Sequence, residues 1–234
     1  MPNKEGIRSL FDGIASNYDR LNHVMSFGID RRWRRKAVNH IVNEKKPINV
    51  LDVATGTGDF AFEIAGRVPF GSHIYGIDLS EKMLIEAKRK SLEMPSRFCR
   101  VKFNIGDCES LQYEDGFFDR VSVSFGVRNF ENLDLGLSEM CRVLKKGGRL
   151  VILELSYPDS TFIFKFYRFY SLRIIPALGN LISRNRSAYE YLPDSILKFP
   201  KPNVMIPKLK KAGFSSAFSK SFTFGICRMY VAEK

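Results

Sequence analysis

Ile48-Asn49-Val50-Leu51-Asp52-Val53-Ala54-Thr55-Gly56-Thr57-Gly58-Asp59 decides the fold. The apolar run to Val53 reads as a buried strand, the Gly/Thr stretch as a tight loop, and Phe60 to Val68 as the helix that loop opens. The alternation continues downstream. His73 to Asp78 is a second strand, Ser80 the N-cap of a helix to about Glu93, Val101 to Ile105 a third strand and Phe118 to Ser124 a fourth. Glu131 to Leu144 has a helical pattern ending in Lys145-Lys146-Gly147-Gly148, cations at the negative helix terminus and glycines to stop it, before the apolar strand Leu150 to Leu155. Ala217 to Phe222 and Cys227 to Ala232 flank Thr223 to Ile226 as a hairpin. Strands alternating with helices define an α/β protein with a Rossmann-like sheet: seven strands, mostly parallel, a C-terminal antiparallel hairpin, and helices on both faces.

Outside this core the composition changes. The 234 residues carry a net charge of +12, divided as +5 in residues 1–46, −2 in 47–156 and +9 in 157–234. One domain in four parts is expected: an N-terminal helical cap (1–46), a ligand-binding core (47–156), an aromatic insertion (157–205) and a C-terminal helix with the hairpin (206–234). Ile7, Leu10, Phe11 and Ile14 follow the spacing of an amphipathic helix, and extending it places Tyr18 on the same face. In the insertion, Phe162 to Ile175 is helical in pattern, with Lys165, Arg168 and Arg173 inside an arc of about 140°. It is either a core helix that snorkels its cations or an interfacial helix that meets anionic lipid.

Several classes fall away. With 44% hydrophobic and 26% charged residues the chain is too apolar for disorder. No apolar run approaches the roughly 20 residues of a membrane span, and the first residues lack the apolar stretch of a secretory signal, so a cytoplasmic protein is expected. Cys99, Cys108, Cys141 and Cys227, like His23, His40 and His73, have no metal-ligand spacing; reduced thiols and no metal are expected. The charge alone leaves nucleic acid or an anionic membrane as partner.

The loop admits two ligand classes. Gly56-Thr57-Gly58-Asp59-Phe60-Ala61 satisfies the dinucleotide pattern G-x-G-x-x-A, with Asp78 at the end of the second strand as a ribose-binding acid, so an NAD-dependent oxidoreductase stays open. Asp52 before the loop and Asp107 after the third strand argue the other way. Acids at a loop's mouth repel a diphosphate and attract the ammonium and sulfonium of S-adenosylmethionine.

The stretch Asp52 to Asp59 resembles the acid-x-G-x-G-x-G pattern of class I methyltransferases, with Ala54 in place of the first glycine. That resemblance implies that Gly56, Thr57 and Gly58, with Asp52 before them, hold the methionyl part of S-adenosylmethionine. It assigns Asp78 to the ribose and Asp107 with Cys108 to the adenine, and it sets Ser124 against the cofactor. Tyr18 to Trp33 and Arg142 to Ser156 are similar to the two signatures of the menaquinone and ubiquinone biosynthesis C-methyltransferases, as are Ser124 to Asn129 and Ser187 to Ile196. Asp30 stands where that family usually has His, and Lys146 where it usually has Pro. The resemblance implies transfer of a methyl group to a ring carbon of a polyprenylated quinol, naphthoquinol or benzoquinol. In it Arg128 stabilises the ring oxyanion, Asn129 orients the ring oxygens, and Tyr18, Asp19 or His23 relays the proton. It also implies that residues 160–182 and the Arg31 to Lys36 run form a lipid-facing entrance at an anionic membrane, with no nucleic acid as partner. An RNA methyltransferase is the alternative the charge allows, and both a monomer and a homodimer fit a chain of this size.

Overall fold

A computed structural model describes residues 3–42, 45–95, 101–174 and 186–234. Five strands run parallel: β1 (Asn49–Val53), β2 (His73–Asp78), β3 (Val101–Ile105), β4 (Phe118–Ser124) and β5 (Leu144–Leu155). β6 (Ser216–Phe222) and β7 (Cys227–Glu233) form the C-terminal hairpin, and the sheet order is β3-β2-β1-β4-β5-β7-β6. β7 pairs antiparallel with both β5 and β6. This reversed strand inserted beside β5 departs from the strand order of dinucleotide-binding sheets.

Alternation along the central strands explains why both faces are buried. Leu150 and Ile152 point to one core and Val151 and Leu153 to the other, as do Tyr230 and Ala232 against Met229 and Val231. α3 (Ile29–Val38), α4 (Asp59–Ala65) and α5 (Glu81–Ser91) close one face; α6 (Leu133–Val143) and α9 (Pro202–Lys211) close the other. α1 (Lys4–Asp12), α2 (Tyr18–Met25), α7 (Thr161–Phe169) and α8 (Arg186–Lys198) are left to cover the carboxyl ends of the strands.

Three local expectations are corrected. The N-terminal helix stops at Asp12 with Gly13 as its cap, and Tyr18 opens α2 after a short 3-10 turn. The rings of Phe11 and Tyr18 nevertheless meet, centroids 6.0 Å apart. The Lys145 to Gly148 run is not a helix end: α6 closes at Val143, and Leu144 already begins β5 opposite Phe118. The cation at that helix end is Lys234, whose Nζ donates to the carbonyls of Arg142 (2.9 Å) and Leu144 (2.8 Å). Finally, the helix expected over Phe162 to Ile175 is α-helical only as far as Phe169 and continues as a π turn, Tyr170–Ile174, which carries Arg173. Ile175 and the rest of the entrance expected to reach residue 182 lie outside the described residues, as does Cys99.

Candidate active site

The loop after β1 is bent by left-handed residues at Ala54 (φ 50°), Gly56 (φ 57°) and Gly58 (φ 84°). A Cβ on Gly58 would lie 2.8 Å from Phe62 and 2.9 Å from Phe103, so only glycine fits there. The loop's backbone is then fastened to β2: the Gly56 N–H donates to Asp78 Oδ2 (2.8 Å), and the Ser80 N–H to Asp78 Oδ1 (2.9 Å). Burial pushes the Asp78 carboxyl up, and these amide bonds hold it back.

Gly56, Asp78, Asp107, Cys108, Ser124 and Asn129 line one cleft, of about 70 Å³, beneath Ile7 and Phe11 of α1. Asp107 Oδ2 accepts from Lys4 Nζ at 2.7 Å, and Glu109 lies 2.9 Å from the same ammonium. Ser124 Oγ is buried and has no hydrogen-bond partner among the described residues. An orphan hydroxyl beside two carboxylates and a glycine loop is a donor set that a polar, cationic nucleoside completes, so S-adenosylmethionine fits these residues.

Asp52, Thr57 and Gly58 support the loop from behind and do not line the cleft. The Asp52 carboxylate, 1% exposed, accepts from Thr55 Oγ and Ser122 Oγ at 2.6 Å each, and burial lifts its pKa to about 6 against those two bonds. Thr57 Oγ donates to Asp19 (2.5 Å), whose other oxygen takes Lys90 Nζ (2.7 Å).

A second, larger cavity of about 390 Å³ opens beside the first, walled by α2, α3, α7 and α8. Phe11, Tyr18 and Phe125 line both, so the two meet at these three residues. Phe125 follows β4 in a left-handed conformation (φ 59°), strain of the kind that collects at working sites. Most of the wall is aromatic or aliphatic; the polar groups are Tyr18, Asn22, Asp30, Arg34, Arg128, Tyr167, Tyr170 and Tyr191 with two hydroxyls, Ser26 and Thr223.

Arg128 is held from three sides. Its Nη1 donates to Glu154 Oε1 (2.6 Å) and to the Phe125 carbonyl (2.5 Å), and its Nε to Ser195 Oγ (3.3 Å). Burial works against the guanidinium charge, but the fully buried Glu154 beside it raises its pKa. No hydrogen bond to the described residues occupies Nη2. Asn129, the next residue, lines the cleft instead of the cavity, and its Oδ1 accepts from the Tyr191 hydroxyl at 2.9 Å.

The proton-relay candidates separate. Asp19 is engaged by Thr57 and Lys90. His23 reaches the cavity through Asp30, with Nδ1 2.9 Å from Asp30 Oδ2. Burial pushes the Asp30 carboxyl up, but Ser26, Arg34 and His23 outweigh it and hold it low. Burial raises the Tyr18 phenol, with Arg128 and the Asn22 bond opposing, so Tyr18 stays protonated at neutral pH. Glu154, Tyr191, Ser195 and Asp30 have no site role in the sequence reading, though all four lie within the quoted signatures, which offer the only signal for them; Arg34 figures there only in the lipid-facing run.

The seven-stranded sheet with its single reversed strand and the cleft at the strand ends define a class I S-adenosylmethionine-dependent methyltransferase. Solved structures share the fold: a SAM-dependent methyltransferase from Aquifex aeolicus (TM-score 0.59, 17% identity, 85% of this chain and 88% of that one) and Haemonchus contortus phosphoethanolamine N-methyltransferase 2 in complex with S-adenosyl-L-methionine (0.60, 18%, 86% and 52%). The family is narrower than the class. Residues 2–234 match the ubiE/COQ5 methyltransferase family, to which this chain belongs. Among similar proteins, the demethylmenaquinone methyltransferase of Bacteroides fragilis strain YCH46 is 46% identical over 98% of this chain and 93% of its own length. The ubiquinone/menaquinone biosynthesis C-methyltransferase UbiE of Geobacter sulfurreducens is 45% identical over 98% and 89%.

Proposed function

We propose that the chain transfers the methyl group of S-adenosylmethionine to a ring carbon of a polyprenylated quinol, converting demethylmenaquinol to menaquinol. The observation that carries this reading is the aromatic cavity meeting the cofactor cleft at Tyr18 and Phe125, with the buried Arg128 guanidinium in the wall of that cavity. The naphthoquinol is preferred because relatives at 41% and 46% identity carry the name demethylmenaquinone methyltransferase.

When bound, S-adenosylmethionine supplies an electrophilic methyl group on a sulfonium. Gly56 and Ser124 would hold its methionyl part, Asp78 the ribose hydroxyls, and Asp107 with Cys108 the adenine. Asp52, Thr57 and Gly58 shape the loop that does so. The rest falls to the cavity. A phenol with pKa near ~10 is mostly neutral at pH 7, and its ring carbon becomes nucleophilic only as the oxygen loses its proton. Arg128, permanently charged and fixed by Glu154, offers Nη2 to that oxygen in a dry site where the interaction is strong. Asn129, pinned by Tyr191, faces the cofactor side of the seam and aligns the two partners. Tyr18 offers its hydroxyl to the ring, and His23, oriented by Asp30, takes the released proton.

α7 supports contact with an anionic membrane surface, where a prenyl tail resides. Phe162, Phe166 and Phe169 are 70%, 64% and 63% exposed beside exposed Lys165 and Arg168, and the inner side of the helix walls the cavity. No helix among the described residues is long and apolar enough to cross a membrane.

The decisive assay supplies radiolabelled S-adenosylmethionine with short-chain demethylmenaquinol, a prenylated benzoquinol or total RNA. Label in the naphthoquinol is expected; label only in RNA, or nowhere, overturns the proposal. Asp78→Ala should abolish cofactor binding by calorimetry, while Arg128→Ala spares it and lowers turnover at least a hundredfold, the usual cost of removing an oxyanion donor. The reverse pattern would refute this site map.

A further inference from the structure

Two guanidiniums line the large cavity, and the transfer chemistry above uses Arg128 but leaves Arg34 without a task. Arg34 belongs to the run Arg31 to Lys36, where Arg31, Arg32, Arg35 and Lys36 are exposed, yet its own side chain is only 8% exposed. The lipid-facing role expected for the whole run therefore does not extend to Trp33 and Arg34, which turn inward and line the large cavity. Arg34 Nη1 is neutralised by Asp30 at 2.5 Å and, further off, Asp59 at 3.5 Å. Its Cζ lies 5.3 Å from the centroid of the Phe125 ring. Its Nε–H is buried with no hydrogen-bond partner among the described residues.

A buried donor left unpaired costs free energy, and folds seldom carry one without a use for it. Phe125 relates this donor to the other guanidinium: Arg34 lies over its ring, and Arg128 bonds its carbonyl. Both arginines also act electrostatically on the Tyr18 phenol, so the three groups are neighbours in the cavity wall. Stabilising a single oxyanion needs one guanidinium. Two, each with an unclaimed N–H and each anchored to its own carboxylate, suit a ring that carries two oxygens on opposite sides.

We infer that Arg34 recognises the second ring oxygen of the substrate, the one para to the oxygen that Arg128 stabilises, and that the cavity thereby selects a 1,4-diol over a mono-ol. This rests on the quinol reading and deepens it. Arg34 donates its Nε–H to the distal oxygen, while Asp30 and Asp59 hold the side chain in place. No bond is made or broken at this oxygen; its role is to fix the plane and register of the ring.

Trp33, the single tryptophan of the chain, lines the same cavity and reports its occupancy by fluorescence. The test is an anaerobic titration of the wild type, Arg34→Gln and Arg34→Lys with two ligands: a short-chain prenylated naphthalene-1,4-diol, and the mono-ol lacking the hydroxyl para to the reacting one. The wild type should bind the diol roughly ten- to hundredfold more tightly, the range for a hydrogen bond from a charged donor. Both variants should bind the two ligands within about threefold of each other. Arg34→Lys keeps a cation beside Asp30 but has no Nε–H, so it decides the matter if Arg34→Gln fails to fold. Variants that retain the wild-type preference overturn the inference, because a merely structural role would weaken both ligands alike. A wild type that methylates the diol but shows no preference overturns it too and leaves the quinol reading standing; a wild type that methylates no quinol removes that reading first.

Discussion

Asp52 and Asp78 end neighbouring strands, yet their surroundings give them different work. Asp78 lines the cleft, while Asp52 is sealed under the loop with two hydroxyls, its pKa lifted by burial from the usual 3.8 to about 6. A carboxyl whose folded pKa exceeds its unfolded one binds its proton more tightly when folded. Stability from this group is therefore greatest in acid and declines as pH rises through about 6. Asp52→Asn should remove that component: between about pH 4.5 and pH 7.5 the wild type should lose about 2 kcal/mol more than the variant in urea unfolding. Parallel pH profiles for the two proteins would contradict it. Strand ends and spacing mark both acids in the sequence, but nothing in it marks which way each carboxylate faces. Glu154 shows the same limit. Its partner Arg128 is 26 residues away, and an ion pair across two strands leaves no periodic trace.

Elements were legible where one pattern governed them. β2, β3 and β4 match their expected ends because each is an apolar run bounded by turn residues. Structure departs from local pattern where tertiary contacts override it: Lys234 takes the helix-end position that the sequence offers to Lys145 and Lys146, and Gly13 breaks a helix that the apolar spacing would continue. α7 was the open case, since periodicity cannot separate a core helix from an interfacial one. None of its residues is buried, so the core reading fails and its aromatic and cationic side faces outward. Each cation near an anionic surface contributes about 1 kcal/mol. Replacing Lys165, Arg168 and Arg173 together by Gln should lower partition onto phosphatidylserine-containing vesicles at least tenfold, with binding to neutral vesicles little changed. Sedimentation that is the same for wild type and variant would remove the membrane contact.

At the scale of the whole molecule, the net −2 core and its basic flanks do not merely sit side by side; the N-terminal flank closes onto the core. α1 lies across the cofactor cleft, with Lys4 bridging Asp107 and Glu109 at one end, and Asp12 accepting from Ser80 Oγ at 2.5 Å at the other. Asp107 is the carboxylate assigned to the adenine, so an arriving cofactor competes with Lys4 for it. Because α1 lies over the cleft, it is expected to shift as a nucleoside enters. Partly exposed ion pairs are worth roughly 0.2 to 1 kcal/mol each, and Lys4 makes two. Lys4→Met should therefore speed cofactor association by about two- to tenfold in stopped-flow measurements, and raising the salt concentration should speed the wild type toward the variant's rate. Association that responds to neither change would mean that the cleft fills without displacing α1, and the basic N-terminal segment would then be a fixed wall, not a cover.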